Sequence, residues 1–190
     1  MRALTFEYMG IAGSELAAAN AIAKRAGVLE HRVVRLPDLR ESSDIPGFRP
    51  SGLPPSYIPL RNSIFYAFAA SFAEETGATD IVGGHNRDDA KVFADVSPEF
   101  FNYLQMAFRK GSRILRGNRV KIVRPLERMR KPAVIRLGAT LGVPFELTWS
   151  CHRDSEEHCW SCEGCLARER RFREAGMVDP LAPSKMEKIT

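Results

Sequence analysis

Cysteine is missing from the first 150 residues of this 190-residue chain; all four cysteines fall between residues 151 and 165. That excludes a disulfide framework spread through the fold, and so close a spacing suits a metal better than two bridges. Nothing reads as a secretory leader, because Met1 runs directly into the strand-like Ala3-Leu4-Thr5-Phe6. No apolar run reaches the roughly 20 residues that a membrane-crossing helix needs. A cytoplasmic location and no membrane partner are therefore expected. Internal repeats and low-complexity segments are absent as well. The net charge is only +5, whereas a tight RNA binder is usually more basic, so direct nucleic-acid binding is not expected. No Ser/His/Asp order and no cysteine outside the cluster offers a nucleophile.

What the chain does have is the run Cys151-His152-Arg153-Asp154-Ser155-Glu156-Glu157-His158-Cys159-Trp160-Ser161-Cys162-Glu163-Gly164-Cys165. Two overlapping C-x2-C units follow a lone cysteine. Four thiolates gathered this way make a tetrahedral sulfur site, and zinc accepts it at about 2.3 Å per ligand without geometric demands of its own. A closed four-Cys site holds structure together and leaves no open position for substrate. The same spacing opens the iron–sulfur pattern of bacterial ferredoxins, but no further cysteine follows, so zinc is the better reading. Beyond the cluster lies Arg168-Glu169-Arg170-Arg171-Phe172-Arg173. It reads as a solvated helix face with Leu166 and Phe172 packed inward, in preference to a phosphate-binding patch.

Strands and helices alternate along the remainder. Strands are expected at 2–8, 31–36, 79–84 and 120–123, and helices at 14–26, 63–76, 98–115 and 131–141. Ser14 and Asn62 read as N-caps, and Gly27, Gly77 and Gly142 as stops. The 63–76 helix carries Ile64, Phe65, Phe68 and Phe72 among alanines and is expected to be deeply buried. Aromatic anchors Phe100, Phe101, Tyr103 and Phe108 mark the next helix. Between residues 42 and 61, Pro46, Pro50, Pro54, Pro55 and Pro59 define a long loop of the kind that usually carries function. This alternation predicts an α/β fold: a parallel sheet with helices on both faces. Ligands in such folds sit beyond the carboxyl ends of the strands. The expected organisation is an α/β domain over 1–145, a four-Cys zinc module over 146–176 and a tail over 177–190.

Candidate chemistry gathers at those strand ends. Asp88 and Asp89 follow the strand-end Gly83-Gly84, with Asp95 close behind. Carboxylates there can hold Mg2+ together with substrate phosphates or accept hydrogen bonds from a base or ribose; equally, they can cap a turn. Arg61 stands at a helix start, where a guanidinium can grip a phosphate or carboxylate in bidentate fashion. Lys131 also begins a helix, and its ammonium could neutralise a leaving pyrophosphate. His85 beside Asn86 reads as a turn histidine.

Taken together, Leu4-Thr5-Phe6-Glu7-Tyr8, Tyr57-Ile58-Pro59-Leu60-Arg61-Asn62, Gly84-His85-Asn86-Arg87-Asp88-Asp89, Asp95 with Pro98-Glu99-Phe100, and Leu147-Thr148-Trp149-Ser150-Cys151 followed by C-x2-C-x2-C and Arg168 resemble the QueC family. These are the 7-cyano-7-deazaguanine synthases of the PP-loop ATP pyrophosphatase superfamily, and the likeness runs from Leu4 to Gly176. It implies a PP-loop fold and a ligase that uses ATP, with Mg2+, to activate 7-carboxy-7-deazaguanine as an adenylate. Ammonia then gives an amide, and a second activation gives the nitrile that feeds modified guanines of tRNA. It also implies Lys131 and Arg61 as catalytic residues and Asn62, Asp88, Asp89 and Asp95 as substrate or ATP contacts. Cys151, Cys159, Cys162 and Cys165 match the family's structural zinc ligands.

The departures are specific. The superfamily's pyrophosphate loop, S-G-G-x-D-S, occurs nowhere in the 190 residues, and Gly10-Ile11-Ala12-Gly13-Ser14 has neither its paired glycines nor its Asp. Three readings stay open: the loop is encoded upstream, the chain is a fragment, or ATP cleavage is lost. The sheet is expected to miss its first strand, and the exposed apolar surface could drive self-association. Ala90-Lys91-Val92-Phe93 replaces a more polar stretch, and Ala133 stands where the family often has an acid. Two alternatives to a nitrile synthase are a PP-loop enzyme acting on another tRNA base and a non-catalytic zinc protein that binds nucleotide, RNA or a partner.

Overall fold

Parallel strands need a crossover of a dozen or more residues, and the chain supplies one inside each of its two strand pairs. The computed structural model describes residues 1–9, 13–54, 57–113 and 120–183. Residues 10–12 of the Gly10–Ser14 run, Pro55, Leu115 and residues 184–190 of the tail lie outside the described residues. The chain divides into two compact units, Met1–Arg40 with Pro132–Thr190, and Glu41–Lys131.

In the first unit, β1 (Arg2–Tyr8) pairs in parallel with β2 (Glu30–Leu36) through α1 (Gly13–Arg25). The register sets Arg2 against Glu30 and Tyr8 against Leu36. Gly27, just past the end of α1, stands at φ +61°, a backbone state that glycine adopts without steric cost. Ser14 is not the cap expected of it. It lies inside α1, and its hydroxyl donates to Asp154 Oδ1 (3.1 Å) and Ser155 O (2.6 Å) in the cysteine-rich segment. Two further helices belong to this unit for most or all of their length, α4 (Lys131–Thr140) and α5 (Glu163–Ala175).

In the second unit, β3 (Asp80–Val82) pairs in parallel with β4 (Lys121–Val123). α2 (Arg61–Thr76) precedes the pair, and α3 (Pro98–Gly111) lies in its crossover. Tyr66, Ala70 and Ala73 of α2, Ile81, Val96, Phe101 of α3, Val120 and Ile122 form the core. α2 buries one side only: Phe72 is inside, but Phe68 is exposed, because the helix has a single face against this core. Tyr103 of α3 also points to solvent, while Phe101 is fully enclosed. Ser97 caps α3 by accepting from the Phe100 N–H at 3.1 Å, ahead of Pro98 at the helix start. α3 also completes β4: Gln105 Oε1 accepts from Ile122 N at 2.7 Å, and Arg109 Nε donates to Val120 O at 2.9 Å. Strand pairing is thus parallel throughout, as the alternation predicts, and among the described residues the strands form two separate pairs. No helix among them is long and apolar enough to cross a membrane.

Candidate functional site

In the first unit the four cysteines converge. Their sulfurs all lie within 4.8 Å of one another, with Cys159–Cys165 and Cys151–Cys162 each at 3.9 Å. A tetrahedron with 2.3 Å legs has edges of about 3.8 Å, so a modest contraction brings all four onto one zinc. Local geometry delivers each ligand. Trp160 turns the Cys159–Cys162 hairpin with φ 51°, a left-handed state rare outside glycine. Cys162 occupies the N-cap of α5, and Cys165 lies in its first turn. Gly164 makes room, since a Cβ there would run into Ser150 O.

The surroundings suit thiolates. Arg153 N–H points to Cys151 Sγ at 3.4 Å and Cys162 N–H to Cys159 Sγ at 3.3 Å. Hydrogen bonding from Ser161 holds the Cys159 thiol down at about 5, while burial pushes Cys165 up to about 12. A buried thiol of that kind needs a cation to ionise, which a metal supplies. The donor set therefore fits zinc. His158 is not a ligand: its ring packs on Trp149 and Trp160, and its Nε2 accepts from Ser150 N at 3.1 Å.

The basic run after the last cysteine is only partly a solvated face. Arg168 is buried, with a bidentate pair to Asp179. Leu166, expected inside, is 48% exposed, while Phe172 is buried. Counting the turn from Phe172 places Arg168, four residues earlier, on the inner face and Leu166 outside it.

The remaining candidates all lie in the second unit. Leu60 takes a left-handed conformation (φ 51°) as the chain enters α2. Asn62 does not cap that helix; it lies one residue inside it, buried, and donates from both N and Nδ2 to Asp95 Oδ2 at 3.1 Å. Arg61, Asn62 and Asp95 line a small, open recess with Tyr57, Ile58 and Phe93. The Arg61 guanidinium has no hydrogen bond or ion pair among the described residues.

Asp88, Asp89 and Lys131 form a second cluster. Asp88 Oδ2 accepts from the Lys131 N–H at 3.0 Å, capping α4, and Lys131 Nζ pairs with Asp89 Oδ1 at 3.1 Å. Asn86 ties the turn together, donating to Asp89 Oδ2 at 2.6 Å and accepting from Asp88 N at 2.9 Å. Both carboxylates thus have partners within the cluster, the Lys131 N–H for Asp88 and Asn86 with the Lys131 ammonium for Asp89. His85 stands among the charges of both clusters. Burial lowers its pKa below the ordinary 6.5, opposed by Asp89 and Asp95 and reinforced by Arg124 and Arg61. Its ring stacks on Tyr66 (5.7 Å) and packs on Phe101 (5.0 Å). Burial also raises Tyr66 to about 12. Tyr57, Phe93, Tyr66 and His85 were not among the expected site residues. Tyr57 lies in a quoted motif, but nothing in the pattern pairs it with Phe93, 36 positions on.

The described residues thus define a mixed α/β protein with parallel strand pairs, a four-thiolate centre and a separate charged recess at a helix start. A family profile described as "Queuosine biosynthesis protein QueC" matches residues 1–176. The chain belongs to the QueC family. It is 37% identical over 194 residues to a "7-cyano-7-deazaguanine synthase" of Nostoc punctiforme, covering 94% of this chain and 86% of that protein. A protein of the same name from Thermoplasma acidophilum is 36% identical over 198 residues, covering 97% of this chain and 82% of the relative. Another from Trichodesmium erythraeum is 37% identical over 194 residues, with coverage of 94% and 87%.

Proposed function

We propose that this chain serves the ATP-dependent conversion of 7-carboxy-7-deazaguanine to 7-cyano-7-deazaguanine with ammonia, through an adenylate and an amide, in the modification of tRNA guanines. The names borne by its relatives support the substrate class. The observation that carries the reading is the recess that Arg61, unpaired among the described residues, lines together with the Asn62–Asp95 pair. An unpaired guanidinium is suited to a carboxylate or phosphate, and a carboxylate to the N–H donors of a base.

In this reading Arg61 and Lys131 are the catalytic cations. Arg61 orients the substrate carboxylate, and Lys131 offsets charge that develops on the leaving pyrophosphate. Asn62 fixes Asp95 so that it meets the substrate already oriented, which lowers the entropic cost of the bound geometry. Asp88 and Asp89 would hold Mg2+, which neutralises phosphate charge when bound. Zinc on the four cysteines is structural, because all four positions are filled by protein. Ligase class, tRNA as the end point and the cytoplasm as the place of work belong to the same proposal.

The test has two arms. First, 7-carboxy-7-deazaguanine is titrated into the 190-residue chain by calorimetry; saturable binding that Arg61→Ala weakens at least tenfold is expected. Second, AMP and nitrile formation are followed with ATP and ammonia in the chain as given and in a form carrying an in-frame S-G-G-x-D-S segment. Turnover is expected only in the second form, because backbone N–H groups of a glycine-rich loop are what normally hold pyrophosphate. Absence of deazaguanine binding would overturn the function, and turnover by the chain as given would overturn the role assigned to the loop.

A further inference from the structure

We propose that Tyr57 and Phe93 are the two walls of an aromatic clamp that takes the flat base of the substrate, with Asp95 reading its donor edge. The proposal rests on the deazaguanine reading above and specifies its site. The two rings are nearly parallel, 8° between planes, with centroids 6.3 Å apart. That separation lies toward the far end of the range for aromatic pairs, about 4.5–7 Å. A flat ring in contact with both walls needs about 7 Å, twice a carbon–carbon contact of roughly 3.5 Å. The two rings are stacked on one another, so a heterocycle enters only as they part until their planes stand that far apart.

Both rings are half-buried, so the pair is reachable from solvent. Both also line the recess that holds Arg61, Asn62 and Asp95, with the buried Ile58 as an apolar surface beside them. Flat faces stack on aromatic rings whatever their sequence of atoms, so the walls alone select shape. The edge must be selected elsewhere. Asn62 occupies Asp95 Oδ2 with two donated hydrogen bonds, and Oδ1 has no partner among the described residues. An ionised carboxylate only accepts. A guanine-type edge presents a ring N–H beside an exocyclic NH2, two donors together, and meets that oxygen without conflict. An adenine edge sets an acceptor beside its donor, which leaves the carboxylate facing a lone pair. Arg61, a donor only, then suits the acidic substituent of the same base. The clamp is thereby assigned to the deazaguanine and not to the adenine of ATP, the other flat heterocycle in the reaction.

The experiment is calorimetric titration of 7-carboxy-7-deazaguanine, and separately of ATP, into the parent chain and into Tyr57→Leu and Phe93→Leu. Each variant is expected to weaken deazaguanine binding by about tenfold or more, the usual effect of removing a stacked aromatic, with ATP affinity unmoved. Tyr57→Phe keeps the wall and is expected to keep the affinity. If either leucine variant fails to fold, Tyr57→Trp replaces it: its added indole emission is expected to be quenched by the deazaguanine and not by ATP. Unchanged deazaguanine affinity in folded leucine variants, or indole emission of Tyr57→Trp that stays unquenched at saturation, overturns the clamp while leaving the proposed function standing. Loss of ATP affinity in place of deazaguanine affinity overturns the assignment of the base. No deazaguanine binding by the parent chain overturns the clamp together with the function on which it rests.

Discussion

Asp179→Ala removes one half of a buried ion pair whose other half stands three residues past the last cysteine of the four-sulfur cluster. Arg168 Nε lies 2.5 Å from Asp179 Oδ2 and Nη2 lies 2.8 Å from Oδ1, and the two side chains are 5% and 3% exposed. The rest of the guanidinium is also engaged: Nη1 donates to Thr148 Oγ1 at 2.6 Å and Nη2 to Phe145 O at 3.1 Å. Those acceptors are neutral and cannot balance the charge once Asp179 is gone. Removing one partner of a buried pair costs about 3–5 kcal/mol. In a chain of this size each kcal/mol moves the midpoint by roughly 2–4 °C, so a fall of about 10 °C is expected. Arg168→Met should cost a similar amount, since the Asp179 carboxylate then keeps, among the described residues, only the Leu181 N–H. The double variant should cost much less than the sum, because neither charge is left unpaired. Position gives the pair a second role. Phe145 and Thr148 precede Cys151, and α5 carries both Cys165 and Arg168, so the guanidinium ties together the two arms that deliver the thiolates. Zinc release to a chromogenic chelator should accelerate in both single variants. The assays are urea denaturation of the zinc-loaded protein and the chelator time course. Single variants within about 0.5 kcal/mol of the parent, or a double variant equal to the sum, would refute the reasoning.

Two further predictions are shorter. Protein purified without chelator should hold one zinc on Cys151, Cys159, Cys162 and Cys165, and Cys162→Ala should lose it and destabilise the first unit more than it alters deazaguanine affinity; iron with visible absorbance in elemental analysis would reverse the assignment. His85 has a folded pKa below its unfolded 6.5, chiefly through burial, so the unfolded chain binds the extra proton first. Stability should therefore be intact above about 6.5 and fall as pH drops through the folded value. His158 is shifted the same way, again mainly by burial, so the measurement is a difference: His85→Gln should flatten the melting temperature between about pH 5 and pH 8 relative to the parent, and an unaltered slope would count against it.

Elements with a strong local period are legible in the sequence, and those fixed by long-range partners are not. β1 spans Arg2–Tyr8, the bounds expected for the first strand, and Gly27, Gly77 and Gly142 all take the left-handed state expected of stops. Asn62 and Ser14 mislead for one reason. Both are good capping residue types at the right distance from a helix, but each is drawn inside by a carboxylate far along the chain, Asp95 in one case and Asp154 in the other. Conversely, the cap that does form on α3, Ser97, stands before Pro98 and is readable from spacing alone. The Arg-rich run reads as solvated because its charges are visible in sequence, whereas Asp179, which allows Arg168 to be buried, lies 11 residues away past the end of the helix.

The same distinction explains why one site is easier to see than the other. A four-thiolate centre is written into 15 consecutive residues, 151–165, and its chemistry is set by ligand type. The recess is assembled from a loop, a helix start and a short turn, namely Tyr57 with Ile58, Arg61 with Asn62, and Phe93 with Asp95. Its polar members stand out by residue type. Its aromatic walls do not, because Tyr57 and Phe93 are ordinary loop aromatics until the fold sets their rings 8° from parallel. Charge and ligand type are properties of single residues, but a stacked pair of rings from distant positions is a property of the fold. The identity of a flat ligand is therefore tested at the walls, and the direction in which that ligand faces is tested at Asp95.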